Sequence, residues 1–271
     1  MPDFSTLTAT LDQGLATVRL NRPERANSIN APMWAELAEV FRWADATAEV
    51  RVVALFGNGK NFCSGIDLGE LLNVKELIAD DCQGRANEKL RALILRLQDS
   101  LTAQERCRKP VLAGIHGACL GGGLDLVAAS DLRYCAREAY FSLKEIDLGM
   151  VADVGSLQRL PKLVAPGLVR EWAFTGRRIE PAEAAACGLV NRVFETREAL
   201  EAGVLEIART IAQKSPLATR GTKEMLNYSR DHSVAEGLNY IAAWNAAMLV
   251  SEDIMKAGLA AMNKETATFR D

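Results

Sequence analysis

Three acidic residues lie in apolar stretches of this sequence, where an ionised carboxylate is costly. Asp125 follows three consecutive glycines in HGACLGGGLDL, Glu145 comes twenty residues later, and Asp153 lies eight residues beyond that. In apolar surroundings a carboxylate must be compensated, or its pKa is raised. Carboxyl groups with raised pKa values exchange protons near neutral pH, so the three acids predict an apparatus for proton transfer.

Each acid also has a purely structural interpretation. Asp125 in the first turn of a helix would be stabilised by the helix dipole. Glu145 could pair with Lys144 or with an arginine, and Asp153 could cap a helix that starts near Gly155. The spacing alone leaves both interpretations open.

The glycine triplet, Gly121 to Gly123, lies between two apolar runs, PVLAGI and LDLVAAS. This pattern predicts a strand, a tight turn and a buried helix. Glycine lets a backbone approach a ligand closely, and a helix N-terminus offers unpaired N–H groups with a partial positive charge. The turn therefore offers donors for a developing negative charge, although the glycines could serve only close helix packing. They match neither a Walker A loop nor the dinucleotide fingerprint.

Composition excludes several other classes of protein. The chain has 271 residues, is 49% hydrophobic and carries a net charge of −3, which is typical of a globular protein without a nucleic-acid-binding surface. No apolar run is long enough to span a membrane. The six cysteines form no CxxC pair and there are only two histidines, so we expect neither a zinc site nor disulfides. His116 is expected to be structural rather than catalytic, because no second residue is spaced to pair with it.

Neither end of the sequence carries a recognisable targeting signal. MPDFSTLTAT lacks the basic start and apolar core of a signal peptide, and ATFRD is not a peroxisomal Ser-Lys-Leu tail. We therefore expect a cytoplasmic enzyme with reduced thiols.

Strands and helices must position the acids and the glycine turn. The alternating residues in TLTATLDQGLATVRLN predict a β-hairpin, and Asn30 predicts the start of a helix. The apolar runs at 50–56 and 110–115 predict buried strands, and residues 74–107 predict helix with a break near 80–83. Together they indicate an α/β core of repeated ββα units. The last third predicts helices whose apolar surfaces need a partner, and association of subunits would provide one.

Several segments resemble the enoyl-CoA hydratase/isomerase (crotonase) superfamily. They are NRPERANSI, KNFCSGIDL, HGACLGGGLDL and KEIDLGMVADVGSLQRLPKLV, in order from residue 21 to about 194, and SEDIMKAGLAAMNK resembles the family's last helix. Within the superfamily the chain is most similar to the Δ3,5-Δ2,4-dienoyl-CoA isomerases. Their pattern places Asp after the glycine triplet, Glu twenty residues on and Asp eight beyond that.

The resemblance implies an α/β fold, a crotonase-like spiral of ββα units with an acyl-CoA site in residues 1–195. It implies a C-terminal helical trimerisation region at 196–271, and homotrimers that usually pair into hexamers. It also implies an acyl-CoA thioester as the substrate. Coenzyme A is then part of the substrate, and neither a metal ion nor a redox cofactor is expected.

The resemblance assigns roles by motif position. The backbone N–H groups of Ile66 and Gly122 would form an oxyanion hole for the thioester carbonyl. Glu145 would be the base at carbon 2 and Asp153 the acid at carbon 6, while Asp125 would tune or position the pair.

The coenzyme A portion of the substrate would contact three further residues. Arg25 matches a basic position that contacts the nucleotide phosphates, and Ala26 and Ser64 would line the route to the reacting atoms. An exposed surface charge is the alternative interpretation of Arg25.

The implied reaction is isomerisation of 3,5-dienoyl-CoA to 2,4-dienoyl-CoA in fatty-acid β-oxidation. Hydratases of the family generally carry Glu at the Asp125 position and Pro-Gly where this chain has Ala152-Asp153, and glycine cannot exchange a proton. Two alternatives remain. One is an enoyl-CoA hydratase in which Asp125 and Glu145 activate water, and the other is a non-catalytic subunit that binds coenzyme A.

Overall fold

A six-stranded sheet is the centre of the computed structural model, which describes residues 2–271. In chain order the strands are β1 (Leu7–Asp12), β2 (Leu15–Leu20), β3 (Val52–Gly57), β4 (Val111–Ile115), β5 (Ala118–Leu120), β6 (Leu132–Ala136), β7 (Tyr140–Ser142) and β8 (Arg192–Phe194). The large sheet has the order β1-β2-β3-β4-β6-β8, and β5 pairs with β7 in a small second sheet. β1 and β2 are antiparallel, and the other pairs are parallel.

Helices cover both faces of the large sheet. In chain order they are α1 (Ala31–Ala46), α2 (Leu68–Leu77), α3 (Gln83–Arg106), α4 (Gly122–Ala128), α5 (Ser156–Arg159), α6 (Pro166–Thr175), α7 (Pro181–Ala186), α8 (Arg197–Ala212), α9 (Pro216–Asp231), α10 (Val234–Met248) and α11 (Glu252–Asn263).

Two consecutive strands followed by a helix recur along the chain. The first unit is β1, β2 and α1, the second is β4, β5 and α4, and the third is β6, β7 and α5. This arrangement confirms the predicted α/β fold of repeated ββα units. The sequence pattern does not predict β5 or β8, which have three residues each.

The buried position of β3 and β4 explains their continuous apolar sequences. All residues of both strands are buried, because helices pack on both faces of the sheet. On one face, α1 packs through Met33, Leu37 and Phe41. On the other face, α8 packs through Leu200 and Val204. Successive strand residues point to opposite faces, so each strand contributes to both cores.

Two predicted helices have different bounds in the structure. α2 begins at Leu68 rather than near 74, because the side chain of Asp67 caps it by accepting a hydrogen bond of 3.1 Å from the N–H of Gly69. The helix expected to start near Gly155 is short: α5 ends at Arg159, and a 3₁₀ turn with Pro161 follows. Proline lacks the N–H that would continue the α-helical hydrogen bonds. The predicted break between α2 and α3 is confirmed.

The C-terminal helices α10 and α11 have no buried residue. Their exposed side chains include Leu238 (64% exposed), Met255 (64%) and Leu259 (58%). The division of the chain at residues 195 and 196 stays a prediction. Within residues 2–271, no helix combines the length and the apolar character that crossing a membrane requires.

Candidate active site

A cavity of about 600 Å³ lies between the glycine turn and the helices α2 and α3. Most of its wall is apolar. Leu68, Leu71 and Val74 come from α2, and Leu90 and Ile94 come from α3. A cavity of this size suits a small-molecule ligand, and its apolar wall favours a hydrocarbon chain.

Ile66 and Gly122, whose backbone N–H groups are the expected oxyanion donors, both line this cavity. Gly122 is the first residue of α4, so its N–H has no acceptor within the helix. A Cβ built on Gly122 would lie 3.7 Å from the nitrogen of Ile66, which places the two groups side by side. Within residues 2–271 neither N–H donates a hydrogen bond to another backbone group.

A parallel β-bridge explains why the N–H of Ile66 is left unpaired. The N–H of Ile29 donates to the carbonyl of Gly65 over 2.8 Å, and the N–H of Asp67 donates to the carbonyl of Ile29 over 3.0 Å. The residue between the two paired groups points its N–H away from the bridge. Ile66 is that residue and it lines the cavity, so the pairing leaves its N–H without a backbone acceptor.

Glu145 begins the 3₁₀ turn Glu145–Leu148 that follows β7, and it lines the cavity. Its Oε2 atom is buried without a hydrogen-bond partner. The alternative interpretation, a salt bridge of Glu145 to Lys144 or to an arginine, does not occur within residues 2–271, and Lys144 pairs instead with Asp147 over 2.7 Å. Burial, and then the charge of Asp125, raises the pKa of Glu145 to about 7.

Asp153 precedes α5 and lines the same cavity as Glu145. Its backbone carbonyl accepts a hydrogen bond of 2.7 Å from the side chain of Gln98. The N-cap residue of α5 is Gly155, and no side chain caps this helix, so Asp153 does not serve as a cap. Burial raises the pKa of the Asp153 carboxyl group above its ordinary value.

Asp125 is fully buried in α4 and does not line the cavity. Its Oδ1 atom accepts hydrogen bonds from the N–H and from the hydroxyl of Ser156, the latter over 2.6 Å. Its Oδ2 atom has no partner. Burial raises the pKa of Asp125 to about 6, although the two hydrogen bonds from Ser156 act in the opposite direction. The three carboxyl groups are therefore brought together, but only two of them face the cavity.

The residues predicted to meet coenzyme A differ in position. Arg25 is exposed at the rim of the cavity and forms no salt bridge within residues 2–271. Ser64 also lines the cavity, and its N–H donates to the carbonyl of Ala26 over 3.0 Å. Ala26 itself does not line the cavity, so it supports Ser64 through its main chain.

Nearly the whole chain matches one protein family. The family model for enoyl-CoA hydratase/isomerase matches residues 10–271. The chain belongs to this family.

Individual relatives agree with the family model. The peroxisomal Δ(3,5)-Δ(2,4)-dienoyl-CoA isomerase of Arabidopsis thaliana is 45% identical over 259 residues, which cover 95% of this chain and 93% of the relative. The mitochondrial enzyme of the same name from Homo sapiens is 46% identical over 256 residues, covering 93% and 78%. The solved structure of an enoyl-CoA hydratase from Bacillus anthracis has a TM-score of 0.89 at 29% identity, covering 98% of this chain and 99% of that one.

The expectation of a cytoplasmic location is wrong. The isomerases at 45% and 46% identity are named as peroxisomal and mitochondrial proteins. Targeting to these compartments depends on short signals that receptors recognise. Composition and the residues of the fold therefore do not determine the location.

Two features of this family member were not predicted from its sequence. The first is the apolar stripe of α3, Leu90, Leu93, Ile94 and Leu97, whose helical spacing of three and four residues was a usable signal. The second is Ser156, for which no local pattern gives a signal, because its role depends on a carboxyl group 31 residues away.

His116 lies outside the cavity lining. Its ring is buried, and Nε2 lies 3.0 Å from the carbonyl of Gly59, to which it donates. Burial lowers the pKa of His116, which favours the neutral ring. The position agrees with a structural role.

Among residues 2–271, no three His, Cys, Asp or Glu side chains are grouped so that they could hold a metal ion.

Proposed function

We propose that this member of the enoyl-CoA hydratase/isomerase family converts 3,5-dienoyl-CoA to 2,4-dienoyl-CoA in fatty-acid β-oxidation. One observation carries the proposal: Glu145 and Asp153, both with raised pKa values, line one apolar cavity. The reaction needs two acid–base groups at separate points of one planar hydrocarbon chain. The names of the relatives at 45% and 46% identity support the same reaction.

The first step removes a proton from carbon 2. This proton is acidic because both the thioester carbonyl and the adjacent diene stabilise the resulting anion. The Glu145 carboxylate takes the proton, and the electron pair spreads over the diene and the thioester oxygen. The N–H groups of Ile66 and Gly122 would bind that oxygen, and one such donor typically contributes about 3–4 kcal/mol in the transition state.

The second step returns a proton at carbon 6. Asp153 donates it, the double bonds shift, and the thioester carbonyl re-forms. The step requires Asp153 to be neutral while Glu145 is ionised. Neighbouring carboxyl groups in an apolar site share protons in this way, because placing several negative charges together is unfavourable. Since the reaction only moves a proton, the proposal includes no metal ion or redox cofactor.

Arg25 is proposed to bind the phosphates of coenzyme A. It lies at the rim of the cavity, and no acid of residues 2–271 neutralises it through a salt bridge. The charge is therefore available to an anionic ligand. Ser64 would line the path of the thioester arm, with Ala26 holding the backbone of Ser64 in place.

The chain is proposed to form homo-oligomers, trimers or pairs of trimers, through its C-terminal helices. α10 and α11 expose apolar side chains along their length and bury none within the subunit. Apolar surface of this kind is typical of an interface between subunits.

Hydration of a 2-enoyl-CoA is the second candidate, because the fold is shared with the enoyl-CoA hydratase of Bacillus anthracis. A direct comparison separates the two. Purified protein is given 3,5-dienoyl-CoA and crotonyl-CoA in parallel, and the conjugated product is followed by its ultraviolet absorbance. We expect rapid diene isomerisation and slow hydration. Rapid hydration without isomerisation would establish the hydratase, and coenzyme A binding without any turnover would establish a binding subunit.

A further inference from the structure

Ser156, the first residue of α5, connects two parts of the site that are distant in the sequence. It is fully buried, and both its N–H and its hydroxyl donate to Oδ1 of Asp125. Asp125 belongs to the helix that begins with the proposed oxyanion donor Gly122, whereas Ser156 follows Asp153 by three residues. The two hydrogen bonds therefore tie the segment of the proposed acid to the helix of the oxyanion donor.

The Asp125 carboxyl group accepts no other hydrogen bond from residues 2–271, because its second oxygen, Oδ2, has no partner. The guanidinium of Arg159 acts on Asp125 only through its charge, and that guanidinium is already bound to Glu105 over 2.8 Å. A buried carboxylate without hydrogen bonds is strongly destabilised. Ser156 therefore supplies the direct stabilisation of the ionised form of Asp125.

The charge of Asp125 acts on the proposed acid–base pair. Glu145, from the 3₁₀ turn, and Asp153, from the segment before α5, are the carboxyl groups whose charges interact with it. The thiols of Cys63 and Cys119 also face it, but burial keeps both in the neutral form at neutral pH. A negative charge at Asp125 disfavours a second negative charge nearby, so it favours retention of a proton by the pair.

We propose that Ser156 is a positioning residue of the isomerase, whose hydroxyl keeps Asp125 ionised and in place so that the Glu145–Asp153 pair retains one proton at neutral pH. The inference rests on the proposed function, because that reaction needs one carboxylate and one neutral acid. Ser156 itself does not line the cavity and need not touch the substrate.

The test is the pH dependence of kcat/KM in Ser156→Ala. Loss of the hydroxyl favours the neutral form of Asp125, so Glu145 and Asp153 both ionise more easily. Both limbs of the pH profile should move to lower pH by about half a unit, which lowers kcat/KM about threefold on the alkaline side. Ser156→Thr keeps a hydroxyl and should restore the original limbs. Ser100→Ala, which removes another buried hydroxyl on α3, should leave the limbs in place.

A purely structural role would lower kcat or the melting temperature without moving the limbs, and that result would overturn the proposal. Asp125→Asn provides a second variant. It should shift the limbs in the same direction, and adding Ser156→Ala to it should cause no further shift. Unmoved limbs in Asp125→Asn would also overturn the proposal, even if Ser156→Ala does not fold.

An infrared titration separates this inference from the proposed function. The C=O stretch of protonated carboxyl groups reports their titration without any turnover. If the wild-type protein fails to isomerise dienes but Ser156→Ala still moves the titration of Asp125 to higher pH and that of Glu145 and Asp153 to lower pH, only the proposed reaction is wrong. If the titration is unchanged while the wild type isomerises dienes, only the role of Ser156 is wrong.

Discussion

The carboxyl group of Glu145 packs directly against the backbone of Gly121. A Cβ built on Gly121 would lie 2.9 Å from Oε1 of Glu145, and Gly121 has a φ of +48°. The N–H of Gly121 donates to the carbonyl of Ser142 over 2.9 Å, which holds the turn against the end of β7. The absence of a side chain at this position thus makes room for the proposed base.

Gly121→Ala is expected to lower kcat for diene isomerisation about 100-fold, because the methyl group displaces the Glu145 carboxyl group from its position at the cavity. Steady-state kinetics measure the effect. Gly167→Ala is the matched control, since a Cβ at Gly167 in α6 meets no atom within 4 Å. Equal activities of the two variants would show that diene isomerisation does not depend on the observed position of Glu145.

Asp153→Asn is expected to lower the rate of diene isomerisation by a factor of about 10²–10⁴, the usual contribution of a general acid. Exchange of the carbon 2 proton with D₂O should continue, because Glu145 is still present. Mass spectrometry of the recovered substrate measures the exchange. Asp99→Asn, a partly exposed position on α3 that pairs with Arg42, should have wild-type activity. Isomerisation at the wild-type rate in Asp153→Asn would remove Asp153 from the mechanism.

The pH dependence of the wild-type enzyme should report the buried base. Burial raises the pKa of Glu145 to about 7, and the proposed reaction needs its carboxylate form. We therefore expect kcat/KM to rise with pH through about 7 and then to level off before the acid is lost. An acidic limb near pH 4, the range of an exposed glutamate, would contradict the assignment of Glu145 as the base.

Glu145→Gln should stabilise the folded protein at alkaline pH. The pKa of Glu145 is about 7 in the folded state, against an ordinary value of 4.5, so the folded state retains a proton that the unfolded state releases. Wild-type stability from this group is therefore lost as pH rises from about 4.5 through about 7. At pH 8 the variant should be more stable by about 1–3 kcal/mol, and at pH 4 the difference should be small. Urea unfolding at the two pH values measures this, and a gain that is the same at both would exclude a charge effect.

Arg25→Ala should raise KM for a dienoyl-CoA about fivefold while kcat changes little, because about 1 kcal/mol of phosphate binding is lost. The same variant should have an unchanged KM for the N-acetylcysteamine thioester, which lacks the nucleotide phosphates. Arg91→Ala, an exposed arginine on α3 outside the cavity, is the control. An equal loss of affinity for both thioesters would show that Arg25 shapes the cavity instead of binding phosphate.

Local features of the fold could be predicted because a few neighbouring residues encode them. The hairpin at the start of the chain and the cap at Asn30 both occur in the structure as predicted. Apolar runs likewise identify the buried strands, since burial on both faces needs apolar residues at every position.

The sequence by itself determined the family, the three acids and the glycine turn, because their residue types and spacing lie within short segments. Only the tertiary structure decided that Glu145 and Asp153 line the cavity while Asp125 lies outside it, bound to Ser156. The physical reason is that the solvation of a carboxyl group depends on every segment packed around it. Residues 31 positions apart, such as Asp125 and Ser156, meet only when the sheet and its helices have assembled.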